Sequence, residues 1–379
     1  MEISRRTQMK NALSGALALC ALTTAAQAGG LDRSGQGINI LFEEGDAIQF
    51  RLGWTDPRVS GSLGGMPSGN VANSFVLPHF AYKKALSDRL DFALIYDQPF
   101  GADITYDAAY PLSQNPVPGG RRDVLRAKAD TDALTAVFRY RFDRGLSVIG
   151  GLRAQRAEAT VTVPAAAGYS VTTDSPVDFG YVVGVAWERP DIAARVALTY
   201  NSAIDHTLQQ SESLNPPPPA PPGFVATLPS TSTISTPQSV NLDFQTGIAA
   251  DTLLFGSVRW VDWTALVYNP PNYPPLTNLV DYDSDTVTYS LGIGRKFSEA
   301  FSGAVTLGYE RRTGDSLSDL GPTDGFWSIG LGGTYSLDKA KISGGVRYTD
   351  LGDATTNNGA RFTGNSAWSV GLQITYALN

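Results

Sequence analysis

From residue 365 to residue 379 large apolar and small or polar side chains alternate without a break. Trp368, Val370, Leu372, Ile374, Tyr376 and Leu378 fall on one face, and Ser369, Gly371, Gln373, Thr375 and Ala377 on the other. A period of two specifies an extended strand with unlike faces. The polar face carries small neutral groups, and the apolar face is bracketed by Trp368 and Tyr376. That arrangement suits a strand with lipid on one side, a wet lumen on the other and aromatic rings at both headgroup levels. Soluble sandwiches alternate as well, so a second line of argument is needed.

The N-terminus supplies it. Arg5, Arg6 and Lys10 form a basic start, residues 12–22 are an uncharged apolar run, and Ala26-Gln27-Ala28 is a small-x-small cleavage site. Together these read as a secretory leader over residues 1–28. Arg5, Arg6, Lys10 and Glu2 leave with it, taking the formal net charge from −7 to −9. A surface that acidic argues against nucleic acid as a partner. The only cysteine, Cys20, lies inside the leader in Leu17-Ala18-Leu19-Cys20, where Leu19 stands in the place a lipobox gives to a small residue. The exported chain therefore has no disulfides.

No stretch after the leader approaches the roughly 20 consecutive apolar residues that a spanning helix needs. A barrel needs only every second residue to be apolar, so an exported chain of alternating strands can still be integral to a membrane. Such strands recur along the sequence. Residues 131–142 place Leu134, Ala136, Phe138, Tyr140 and Phe142 outward, with Thr135, Val137, Arg139 and Arg141 inward. Residues 177–188 repeat the design with Phe179, Tyr181, Val183, Val185 and Trp187. Tight turns such as Asp143-Arg144-Gly145, Arg189-Pro190-Asp191 and Asp338-Lys339 alternate with long connections. The expected fold is all-β: a fourteen-stranded antiparallel transmembrane barrel over residues 47–379. Long loops face outward and short turns face the periplasm in outer-membrane barrels, which puts both termini in the periplasm. The surroundings expected of such a chain are outer-membrane lipid and lipopolysaccharide, and its insertion calls on the barrel-assembly machinery.

Residues 29–46 fit no strand. Ile38, Ile40, Leu41 and Phe42 are too apolar to sit comfortably in water, so the segment reads as a hatch folded into the lumen, the other reading being a periplasmic tail. Two long connections, around Asn215-Pro216-Pro217-Pro218-Pro219 and Asn269-Pro270-Pro271-Asn272-Tyr273-Pro274-Pro275, read as stiff outer loops.

Chemistry is sparse. His79 and His206 have no companion at ligand or triad spacing, and hydrolysis would need an unmarked hydroxyl beside His79. Asp281-Tyr282-Asp283-Ser284-Asp285 lacks the glycine and distal glutamate of a calcium loop and reads as an acidic rim. No cofactor or metal site is implied. Porins for ions and sugars use rings of charge, whereas the inward faces here are mostly Ser, Thr, Gly and Ala with scattered Arg139, Arg153, Arg195 and Arg347. Two readings of these arginines stand side by side. They hold a carboxylate head while Ile38, Ile40 and Phe42 hold an apolar tail, or they pair with lumenal acids such as Glu310.

Four places carry a family resemblance: Gly30-Leu31-Asp32-Arg33-Ser34-Gly35, Pro99-Phe100-Gly101, Trp260-Val261-Asp262-Trp263-Thr264, and Arg312-Thr313-Gly314 followed by Pro322-Thr323-Asp324-Gly325-Phe326-Trp327. In their order and spacing they resemble the long-chain fatty acid and hydrocarbon transporters of Gram-negative outer membranes, the FadL/TodX type. The resemblance implies a monomeric barrel plugged by an N-terminal hatch that passes hydrophobic small molecules without ATP, with release sideways through a kinked third strand. The family's Asn-Pro-Ala box in the hatch is replaced by Ile40-Leu41-Phe42-Glu43-Glu44-Gly45, and the chain ends Tyr376-Ala377-Leu378-Asn379 instead of on an aromatic residue. Pro99 has no N–H to give a neighbour and Gly101 tolerates angles that break a ladder. Pro99, Phe100 and Gly101 are therefore the expected exit, unless Pro99 simply ends the strand.

Overall fold

The computed structural model describes residues 31–216, 219–275 and 278–378. The leader at 1–28, Gly29, Gly30 and the midpoints of the two proline-rich loops lie outside the described residues.

Fourteen strands close into one antiparallel barrel. They are β1 (Ala47–Arg58), β2 (Phe75–Ala85), β3 (Leu90–Asp97), β4 (Arg126–Arg141) and β5 (Leu146–Val163). Next come β6 (Asp178–Arg189), β7 (Ala194–Asn201), β8 (Ser239–Ala249), β9 (Thr252–Val261) and β10 (Thr286–Lys296). The circuit ends with β11 (Phe301–Glu310), β12 (Phe326–Ser336), β13 (Ala340–Leu351) and β14 (Asn365–Ala377). Each strand bonds to the next, and β14 closes on β1 with Ala47 opposite Ala377 and Arg58 opposite Ser366. Every strand thus has two hydrogen-bonded neighbours, the condition for a sheet to live in lipid.

The faces are inside out relative to a soluble protein. Along β14, Trp368, Val370, Leu372, Ile374 and Tyr376 are 40–50 % exposed, whereas Ala367, Ser369, Gln373 and Thr375 are at most 5 % exposed. Most barrel strands carry the same outward apolar band, from Phe50 and Leu52 in β1 to Leu331 in β12 and Val346 in β13. The alternation that reads as a membrane strand in the sequence is thus the pattern of the wall.

Strands β4 and β5 run on past the barrel rim, and the sheet continues through Tyr169–Asp174, Ile204–Leu214 and Ala226–Thr236. The sequence reading leaves the region around Asn215-Pro216-Pro217-Pro218-Pro219 as one long connection between strands. The structure corrects this, because Ile204, His206, Leu208, Gln210 and Glu212 are buried in alternation with exposed Asp205, Thr207, Gln209 and Ser211. Three of those five buried residues are polar, so the period is real but its hydrophobic signal is weak. Beneath these outer segments lies an apolar core that includes Tyr106, Tyr110, Tyr169, Leu320 and Phe362.

Candidate ligand-passage site

Among the described residues the wall has one break. The β2–β3 ladder runs from Ala85 opposite Asp91 to Phe80 opposite Tyr96 and stops there. The third strand is interrupted at Gln98-Pro99-Phe100, resumes as Gly101–Thr105 against β4, and meets the start of β2 again only where Asn73 N–H donates to Asp103 O at 2.9 Å. Pro99 therefore bends the strand instead of ending it. The physical cause is local: proline offers no ladder donor, and Thr131 draws the Phe100 backbone aside by accepting its N–H and donating to its C=O.

The chain's N-terminal segment is seated on this break. Gly101 N–H donates to Leu31 O and Arg33 N–H to Pro99 O, both at 2.8 Å. The Arg33 guanidinium lies 4.6 Å from the centre of the Phe75 ring and donates to Asp130 Oδ1 at 2.9 Å. On the opposite side of the lumen Asp32 accepts two bonds from Arg259, at 2.6 and 3.2 Å, and Gln36 accepts from Ser239. Gly101 matters because it has no side chain: a Cβ there would collide with the Arg33 guanidinium and stand 2.8 Å from Ala129 O.

Further along, the short helical turn Asn39–Phe42 rests on the inner wall. Ile38, Ile40 and Leu41 pack with Ala81, Ala93, Ile95, Val137 and Ile149. Arg139 and Arg195 both lie over the Phe42 ring, at 4.5 and 4.1 Å, and Arg139 also bonds to Glu188, Ser147 Oγ and Leu41 O. Lys83 donates to the Glu43 and Gly45 carbonyls while paired with Asp91, and Lys341 pairs with Glu43. The residues expected from the sequence are thus divided. Ile38, Phe42 and Arg139 gather where the segment meets the wall, Arg153 donates to Thr135 Oγ1, and Ile40 and Arg347 line a lumenal cavity. Glu310, read as a partner for the arginines, accepts from Thr288.

Two cavities flank the segment. One, of about 110 Å³, is apolar and lies toward the long connections, walled by Leu31, Phe100, Leu208, Ile234, Trp263 and Tyr282. The other, of about 140 Å³, is mixed in character and presents the ionisable side chains of Arg51, His79, Asp243, Arg259, Glu310 and Arg347. Trp263 lines both. Its ring stacks edge-on against Phe100 at 5.8 Å and leans on Tyr282 at 5.4 Å, and its N–H donates to Thr286 Oγ1 at 3.1 Å.

The two histidines sit apart, in β2 and in the Ile204–Leu214 strand. His79 Nδ1 has no hydrogen-bond partner among the described residues. His206 bonds through Nδ1 to Asp178 at 2.9 Å, and the nearby Ser175 hydroxyl already donates to Pro176 O. Among the described residues no three His, Cys, Asp or Glu side chains are grouped to hold a metal ion. Asp285 instead accepts from the Trp260 indole, and Asp281 from Asn278. Asp32, Arg33, Arg259, Trp263 and Tyr282 belong to the site but are not among the residues that sequence reasoning assigns to it. Leu31 to Ser34 and Trp263 stand inside the quoted motifs, a signal that marks them in principle. Tyr282 is concealed in the acidic string.

No family model matches this sequence, and no curated protein matches it. Solved structures do match in three dimensions. A FadL homologue of Pseudomonas aeruginosa aligns with a TM-score of 0.74 at 16 % identity, covering 95 % of this chain and 98 % of that one. The toluene transporter TodX of P. putida aligns at 0.64 and 13 %, covering 89 % and 91 %, and the Ralstonia pickettii toluene transporter TbuX at 0.64 and 11 %, covering 95 % and 98 %. The chain has the FadL-type fold. Within the FadL-type fold, identities this low speak for the architecture alone; cargo has to be argued from this chain's own cavities.

Proposed function

We propose that this protein is a passive outer-membrane channel for hydrophobic compounds, with its short turns and both termini in the periplasm. Cargo enters the apolar cavity from outside and leaves sideways, between β2 and β3, into the membrane. The observation that carries this reading is the adjacency of three things: an apolar cavity, a break in the wall at Pro99-Phe100-Gly101, and a chain segment, Leu31 to Ser34, that covers the break. A molecule crossing there passes from one apolar medium to another and never meets the aqueous lumen, which is the low-energy path for apolar cargo. In this account Ile38, Ile40, Phe42 and Arg139 anchor the hatch, and Pro99, Phe100 and Gly101 form the exit. Neither ATP nor a cofactor enters the account.

The test is uptake of a labelled apolar compound by cells in which this channel is the added route, comparing the wild type with Pro99→Val. Valine restores a ladder donor, so the variant should assemble normally and take cargo up several-fold more slowly. Unchanged uptake by an assembled variant would remove the sideways route, and a wild type no faster than empty vector would remove the channel itself.

A further inference from the structure

Resting on that channel reading, we propose that Trp263 is a selectivity septum, and that the cargo it admits is an uncharged molecule about the size of one ring. Four observations lead there. The apolar cavity measures about 110 Å³, the same order as the apolar cavity of ~150 Å³ that takes up benzene. Its large walls are aromatic faces and edges, Phe100 against Trp263 and Trp263 against Tyr282, which suit a flat ring. Among the described residues the only charged side chains in its lining are Asp130 and Glu158, both acids. A carboxylate entering would lose its hydration and find no basic side chain in the lining to pair with, Asp130 there being already paired with Arg33. The guanidinium groups of Arg51, Arg259 and Arg347 all line the second cavity, behind the indole.

Trp263 is therefore the boundary between an apolar chamber and a charged one. It is 1 % exposed and fixed on three sides, by Phe100, Tyr282 and the hydrogen bond to Thr286. While it stays in place, a ligand in the outer chamber meets aromatic carbon and the wall break. Without it, the same ligand meets arginines.

Fluorine NMR on the purified protein in detergent, with empty micelles as reference, tests this using two probes of nearly equal size, 4-fluorotoluene and 4-fluorobenzoate. The wild type should bind fluorotoluene saturably and fluorobenzoate at least about tenfold more weakly. Trp263→Ala, with assembly checked by heat-modifiable migration on gels, should narrow that gap by admitting the carboxylate. Equal binding of both probes by the wild type would overturn the selectivity while leaving the channel standing. An unchanged gap in assembled Trp263→Ala would overturn the septum. Absence of saturable fluorotoluene binding would instead count against the channel reading beneath it.

Discussion

At the scale of single residues, the N-terminal segment is held by a few interactions of high cost to break. Arg259 is 8 % exposed and donates to Asp32, Ser239, Asn241 and Gln36, but only Asp32 brings a negative charge among those four. Breaking a buried pair by removing one partner typically costs about 3–5 kcal/mol, because the remaining charge is left without compensation. Asp32 is partly exposed, so a cost at or below the lower end is expected for Asp32→Asn. That loss falls on the seating of the segment, since the barrel strands keep their own ladders. Arg33, 3 % exposed in the native chain, should then become a site for trypsin. Mass spectrometry of the folded protein after limited digestion checks this. Wild type should resist cleavage after Arg33 and Asp32→Asn should not, and a resistant variant would show that Asp32 is not a latch.

At the scale of elements, the outer loops are pinned by a buried carboxylate. Glu212, in the Ile204–Leu214 strand, accepts hydrogen bonds from Tyr169 Oη at 2.6 Å, from Asn272 N–H at 3.1 Å, from Asn272 Nδ2 at 2.9 Å, and from Ser230. It thereby fastens the loop Asn269-Pro270-Pro271-Asn272-Tyr273 over the outer sheet. Burial by itself would raise the carboxyl's pKa, but the bonds from Ser230, Tyr169 and Asn272 outweigh it and hold the value below the ordinary one. A depressed carboxyl contributes stability that is fully present above its unfolded pKa and is lost as pH falls through the folded value. The loop should accordingly stay pinned from neutrality down to below the usual glutamate range and loosen in stronger acid. Hydrogen exchange at Asn272, compared between wild type and Glu212→Gln at matched pH, should differ near pH 6 by about tenfold or more and converge in strong acid, a loss of one or two charge-assisted bonds. Equal exchange at pH 6 would mean that Glu212 does not hold the loop. The sequence conceals this element for a physical reason. A buried strand face can be satisfied by hydrogen bonds as well as by apolar contact, so residues 204–214 bury His206, Gln210 and Glu212 beside Ile204 and Leu208 and alternate in burial more clearly than in hydrophobicity. Strands facing lipid have no such freedom, and β6 and β14 are legible for that reason.

At the scale of the whole molecule, lipid outside dictates the outward band, and that band is readable in the sequence alone from Phe179 to Trp187 and from Trp368 to Tyr376. The bend at Pro99 is legible too, because a missing N–H is a property of the residue. The partners of the lumenal arginines are not. Arg139 and Arg195 engage Phe42, and Arg259 engages Asp32, only because a segment far away in the chain lies across the lumen. Sequence spacing carries no record of that crossing. On the proposed channel reading the same segment is the hatch. It touches the wall at the break through Leu31, at β9 through Asp32, and at the opposite end through Lys83 and Lys341. On this account it closes the lumen to water and ions, while the apolar chamber beside Trp263 remains a separate route. Conductance of the purified protein in planar bilayers measures this most directly, comparing the intact chain with one lacking residues 32–45. The intact protein should pass little ionic current and the deletion should open a steady pore; a large ohmic conductance in the intact protein would contradict the account and favour a general porin.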